Sequence, residues 1–127
     1  MKRKRNVKRL SLGFLLISAA TANAAPFDVS GAWFRSLPGK LPAGGYFIAQ
    51  NNPRRDVSIT GARSAACGML MIHQSTNKGG MTGMDMVDSV AVPPGGVVRF
   101  APGSYHLMCE EPAMKAGGKV GVSLSLS

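Results

Sequence analysis

Residues 103–111 read GSYHLMCEE and set a His, a Met and a Cys within four consecutive positions. If this run is a strand, side chains two apart share a face. His106 and Met108 then point one way and Cys109 the other. Its neighbours decide whether it is one. Before it comes GVVRFA (96–101), bounded by Pro93-Pro94-Gly95 and by APG. After it comes KVGVSLSLS (119–127), in which Val120, Val122, Leu124 and Leu126 alternate with Gly and Ser. That is the period of a half-buried strand.

Working further out, the same texture fills the chain from residue 29 onward. Short apolar runs recur as VSGAWFRS (29–36), GYFIAQN (45–51), DVSITGAR (56–63), GMLMIHQS (68–75) and MDMVDSVAV (84–92). The breaks LPGKLPAGG, NNPRR, NKGG and KAGGK are rich in turn formers. Helical periodicity is nearly absent, although EEPAMKAGG (110–118) has room for one turn of helix. Eight short strands at this spacing predict an all-β fold, an antiparallel sandwich or barrel.

The N-terminus is of a different kind. MKRKRNVKR is basic, LSLGFLLISAA is apolar, and Ala22-Asn23-Ala24 is a small-x-small cleavage site. In that order they predict a Sec-type signal peptide over residues 1–24, cleaved after Ala24, and export to the periplasm. The apolar run is short for a membrane span, so no stable membrane insertion is expected after cleavage. Six of the fifteen Lys and Arg leave with this segment, while all six acidic residues stay. Nine bases against six acids leave a net charge of +3 in place of the whole-chain +9. The remaining bases are scattered without interleaved aromatics, which removes the case for nucleic-acid binding. Residues 25–127 suffice for a single domain with one core, expected as a monomer.

The donor side chains are concentrated. Beyond residue 24 there are two histidines, His73 and His106, and seven methionines. Met69 and Met71 precede His73; Met81, Met84 and Met86 lie in NKGGMTGMDM, which reads as a Gly-rich loop; Met108 accompanies His106. Met69, Met71 and Met114 suit core filling, the common use of methionine. The loop methionines have little apolar company. Thioethers suit Cu(I), and imidazole serves copper in either oxidation state. A set of two His and two Met carries no anionic ligand and so disfavours Cu(II), zinc and hard cations.

The spacing His73, ten residues, Met84, twenty-one residues, His106-Leu107-Met108 resembles the motif of the PCuAC family. These are periplasmic copper chaperones for the CuA site of cytochrome c oxidase. VSGAWFRSLP, GGYFIAQNN and VPPGGVVRFAPGSYHLM are similar to that family's N-terminal strand, its Tyr-bearing second strand and the approach to its last ligands. The resemblance implies a cupredoxin-like Greek-key β-sandwich. It also implies one Cu(I) per chain held by His73, Met84, His106 and Met108. The implied acceptor is the CuA subunit of cytochrome c oxidase or a thioredoxin-like partner of the Sco type. The chain ends at Ser127, without the His/Met-rich tail by which some members bind a further Cu(II), so no second copper is expected.

Cys67 and Cys109 fall outside this motif. In an oxidising compartment a disulfide between them is the expectation. Buried free thiols and a thiolate metal ligand stay open as alternatives. Besides copper delivery, three other roles fit an exported domain of this kind: copper storage or buffering, a metal-free binding or structural module whose methionines form an adaptable apolar surface, and electron transfer. The last needs a Cys ligand beside two His, and Cys109 lies on the far side of the strand from His106 and Met108. Neither a nucleophile elbow nor a carboxylate pair is present, and no enzymatic activity is expected.

Overall fold

The computed structural model of the protein describes residues 27–52 and 55–127. The expected signal peptide, 1–24, and its cleavage point lie outside the described residues. Nine strands follow in order: β1 Phe27–Arg35, β2 Ala43–Asn51, β3 Val57–Arg63, β4 Met69–Lys78, β5 Met81–Met86, β6 Val90–Val92, β7 Val97–Phe100, β8 Tyr105–Glu110 and β9 Ser123–Leu126. Among the described residues there is no helix, and none long and apolar enough to cross a membrane.

The strands form two sheets. One has six strands in the order β1-β2-β7-β8-β4-β5, with β2 also pairing β8; the other has three, β6-β3-β9. The ladders are antiparallel except for β7 beside β8, parallel at Phe100 and Tyr105. The crossings between sheets give the cupredoxin-like Greek-key sandwich expected from the sequence.

Strict alternation makes the core. Phe47, Ala49, Ile72, Phe100 and Leu107 point inward from the large sheet, and Ile59, Val90 and Val92 meet them from the small one. Phe47 and Phe100 stack with ring centroids 4.2 Å apart. Burying side chains of this size stabilises by about 1.5–3 kcal/mol each. Asn51 ties the two sheets together: its side-chain amide donates to the carbonyls of Val92 and Arg55, both at 2.8 Å.

Three sequence expectations are corrected. NKGGMTGMDM is a β-hairpin, not a flexible loop. Gly79 and Gly80 take φ of 61° and 83° between Lys78 and Met81, which pair directly. Two successive positive φ values form the tight turn whose twist matches a hairpin, and glycine adopts them without penalty. MDMVDSVAV is two strands, because after Met86 the chain leaves the large sheet so that Val90 and Val92 can be buried on the small one. EEPAMKAGG holds no turn of helix: Glu110 closes β8, and a bend at Glu111 (φ 50°) and a turn at Ala116-Gly117 (Gly117 φ 79°) follow.

Candidate metal centre

Period-two alternation leaves β4, β5 and β8 with a second face, pointing away from the core. Ile72 pairs Leu107 on the inner face, so their neighbours in the ladder face outward. His73 stands opposite His106, and Met71 opposite Met108. On the other side of β4, Met86 stands opposite His73 and Met84 opposite Ser75. One row across three strands is therefore Met86, His73 and His106, with Met108 and Met84 diagonal to it on either side. His73, Met84, His106 and Met108, the four residues of the motif, all lie on this face. Met81 pairs Lys78 and points to the opposite face of the hairpin.

The two imidazoles are unlike. Their ring centroids are 5.8 Å apart in an edge-on arrangement. His106 is 5% exposed, and its Nδ1 lies 3.3 Å from the Ser104 carbonyl. In the tautomer that donates Nδ1–H to that oxygen, Nε2 keeps its lone pair. Both ring nitrogens of His73 are buried and have no hydrogen-bond partner. Burial, with His106 beside it, lowers the pKa of His73 below the usual 6.5, and Glu110 opposes this in part. The ring is thus kept neutral and able to donate a lone pair.

The sulfurs differ in the same way. Met108 is partly buried, whereas Met84 is 59% and Met86 66% exposed on β5, the edge strand of the large sheet. Met69 and Met71, expected as core filler, lie instead on the same outward face as His73, and Met69 is 54% exposed. Leu70 and Ile72 do the packing on β4. With apolar residues at every position of MLMI, alternation does not reveal which pair faces the core.

Beyond β8 the face continues onto β2 and β1. Gly44 pairs Met108, and the Tyr46 side chain lies back over Gly44, where an added Cβ would sit 2.7 Å from its hydroxyl. Tyr46 packs against Trp33 of β1 with centroids 4.7 Å apart. This aromatic wall beside Met108 was not read from the sequence, and neither was the opposition of Met86 to His73. The latter follows from counting back from the Gly79-Gly80 turn once the segment is known to be a hairpin.

Cys109 faces inward, fully buried, and is joined to Cys67 with Cα atoms 5.3 Å apart. Main-chain hydrogen bonds from Gly68 to Glu110 (2.8 Å) and from Ala113 to Ala66 (2.7 Å) flank the bridge. The expected disulfide is thus present, and both cysteines are unavailable as thiolate ligands. Among the described residues no three His, Cys, Asp or Glu side chains come together. A metal on this face would have to be held by two imidazoles and thioethers. That neutral, soft donor set, with the unpartnered ring of His73 at its centre, fits Cu(I).

Comparison with known proteins agrees with this architecture. Solved PCuAC domains share the fold. The copper-bound PCuAC domain from PmoF2 matches with a TM-score of 0.65 at 20% identity, covering 80% of this chain and 81% of that one. The apo PCuAC domain from PmoF1 matches with a TM-score of 0.65 at 18% identity, over 80% of this chain and 82% of that one. A curated relative, "Putative lipoprotein Lxx21020" of Leifsonia xyli subsp. xyli (strain CTCB07), is 28% identical over 103 residues, 79% of this chain. The chain spans 61% of the length of that relative. The sequence model described as "Putative lipoprotein LpqE-like" matches residues 27–127. The chain belongs to the LpqE-like family, and its fold is that of the PCuAC domains.

Proposed function

We propose that this chain is an exported envelope protein that binds one Cu(I) through His73, Met84, His106 and Met108 and passes it on as a copper chaperone. The observation that carries the reading is His73. A buried imidazole with neither nitrogen satisfied costs about 1–3 kcal/mol, and here it stands opposite a second imidazole on a face supplied with thioethers. A soft monovalent cation bound between the two rings would satisfy the lone-pair nitrogen and remove that part of the cost. The likeness to PCuAC domains, one of them copper-bound, supports the choice of metal.

Transfer would proceed by ligand exchange without redox chemistry. Met84 is exposed on an edge strand, so an acceptor's donors can displace it while His106 and Met108 still hold the ion. The acceptor, on the family resemblance, is the CuA centre of cytochrome c oxidase or a Sco-type partner. Electron transfer of the blue-copper kind is disfavoured because it needs a Cys thiolate in the copper sphere, and the bridge holds both cysteines. For the same reason neither of them can carry a thioether-linked lipid. Cu(I) titration against a competing chelator, with X-ray absorption to count donors, tests the proposal. One tightly held Cu(I) with two nitrogen and two sulfur ligands is expected. A site of oxygen donors, or no binding, sinks it.

A further inference from the structure

The β4–β5 hairpin presents two thioethers on the candidate face, and the motif spacing uses only one. Met86 is directly opposite His73, whereas Met84 is opposite Ser75. Directly opposed side chains have Cβ atoms about 4.5–5.5 Å apart, and diagonal ones stand about 7–8 Å apart. Met86 therefore starts nearer to His73 than the motif methionine does. Met84 reaches the imidazole pair only by leaning along the strand, which its unbranched chain allows.

Packing gives no other reason for a methionine at 86. Every residue of β5 is exposed, and Met86 is more exposed than Met84. An edge strand in water would ordinarily carry polar or charged side chains on such a face. Met81, the third methionine of the hairpin, is excluded by parity, since it faces away.

We propose that Met86 is a second thioether donor from β5, interchangeable with Met84 at the coordination position that the hairpin supplies. The inference rests on the Cu(I) reading above and extends it. With His73, His106 and Met108 fixed, the copper would be completed by whichever of the two sulfurs is at hand. When an incoming ligand displaces one, the other keeps the ion from being released before the acceptor has it.

The test compares Met84→Leu, Met86→Leu and the double variant in the whole exported protein. Cu(I) affinity is read by chelator competition, sulfur count by X-ray absorption, and the ε-methyl groups by carbon-13 NMR, which diamagnetic Cu(I) permits. Each single variant is expected to lose no more than about 10-fold in affinity and to keep two sulfurs. The double variant should lose more than the two single losses multiplied together, by about 10-fold or more, and fall to one sulfur. In the unsubstituted protein both methyl signals should move on loading. Both positions are exposed, so circular dichroism of the copper-free variants should be unaltered. Interchange is overturned if Met84→Leu alone matches the double variant, or if Met86→Leu matches the unsubstituted protein in affinity and spectrum. It is also overturned if both single variants are as damaged as the double. The first two results leave the four-ligand reading standing, and the third adds Met86 to it as a required donor. Absence of Cu(I) binding by the unsubstituted protein, or undiminished binding after His73→Leu, overturns both.

Discussion

His73 and His106 are direct cross-strand partners, yet only one has a hydrogen-bond partner: the Ser104 carbonyl approaches His106, while both nitrogens of His73 are buried and alone. The asymmetry separates what each ring does for the fold from what it does for a bound ion. His73→Leu keeps the volume and removes two unsatisfied polar atoms. The copper-free variant is expected to be as stable as the parent or more so, by up to about 1 kcal/mol. Cu(I) affinity should fall by about 100-fold or more, since loss of a group that only supports a metal ligand already costs about 10–100-fold. Urea unfolding of the copper-free proteins and chelator competition measure the two effects. A large loss of stability with unchanged affinity would make His73 a structural residue.

The same burial predicts a pH dependence. His73 titrates below the usual 6.5 in the folded protein, chiefly through desolvation and then through His106, with Glu110 partly opposing. Between its folded value and 6.5 the unfolded chain binds more protons than the folded one, so folding weakens as pH falls. The contribution is fully present above pH 6.5 and is lost as pH drops through the lowered value. Urea midpoints of the copper-free protein at pH 7.5 and 5 should show this decline, and His73→Leu should reduce it. An identical decline in that variant would place its origin elsewhere.

The bridge from Cys67 to Cys109 closes a separation of 42 residues, worth about 4 kcal/mol in the loop-entropy treatment. Replacing both cysteines by Ala is expected to lower stability by an amount of that order. Cu(I) affinity of the molecules that stay folded should change little, because Cys109 faces the core and Met108 faces outward. Denaturant titration and chelator competition check the pair. If the sulfur count at copper rises when the bridge is reduced, a thiolate enters the metal sphere.

Much of this arrangement is legible in the sequence because a strand's parity is rigid. From His106-Leu107-Met108-Cys109 alone, imidazole and thioether on one face and cysteine on the other follow, and the ladder agrees. Parity fails where both faces are apolar: in Met69-Leu70-Met71-Ile72 the core takes Leu70 and Ile72, a choice made by Leu107 and Cys109 across the ladder. It fails again in NKGGMTGMDM, where three glycines suggest a loop but only Gly79 and Gly80 make the turn. That difference fixes the register of Met84 and Met86 against His73. The aromatic pair of Trp33 and Tyr46 depends on the pairing of β1 with β2 and on the missing side chain at Gly44, neither of which has a local signature.

Delivery, buffering and electron transfer make different demands on a cell. A chaperone matters most when its metal is scarce, since abundant copper reaches the acceptor without it. If the chain supplies oxidase assembly, its deletion should lower cytochrome c oxidase activity in copper-poor medium, with partial rescue by added copper. The combined replacement of His73, Met84, His106 and Met108 should reproduce that loss. All four side chains lie on the outward face, and none belongs to the core between the sheets, so the sandwich should survive the change. Buffering predicts normal oxidase and sensitivity to high copper. Electron transfer predicts a loss that copper does not repair. Oxidase measurements across a copper series separate the three, and unaltered activity in the deletion strain at limiting copper would remove delivery from consideration.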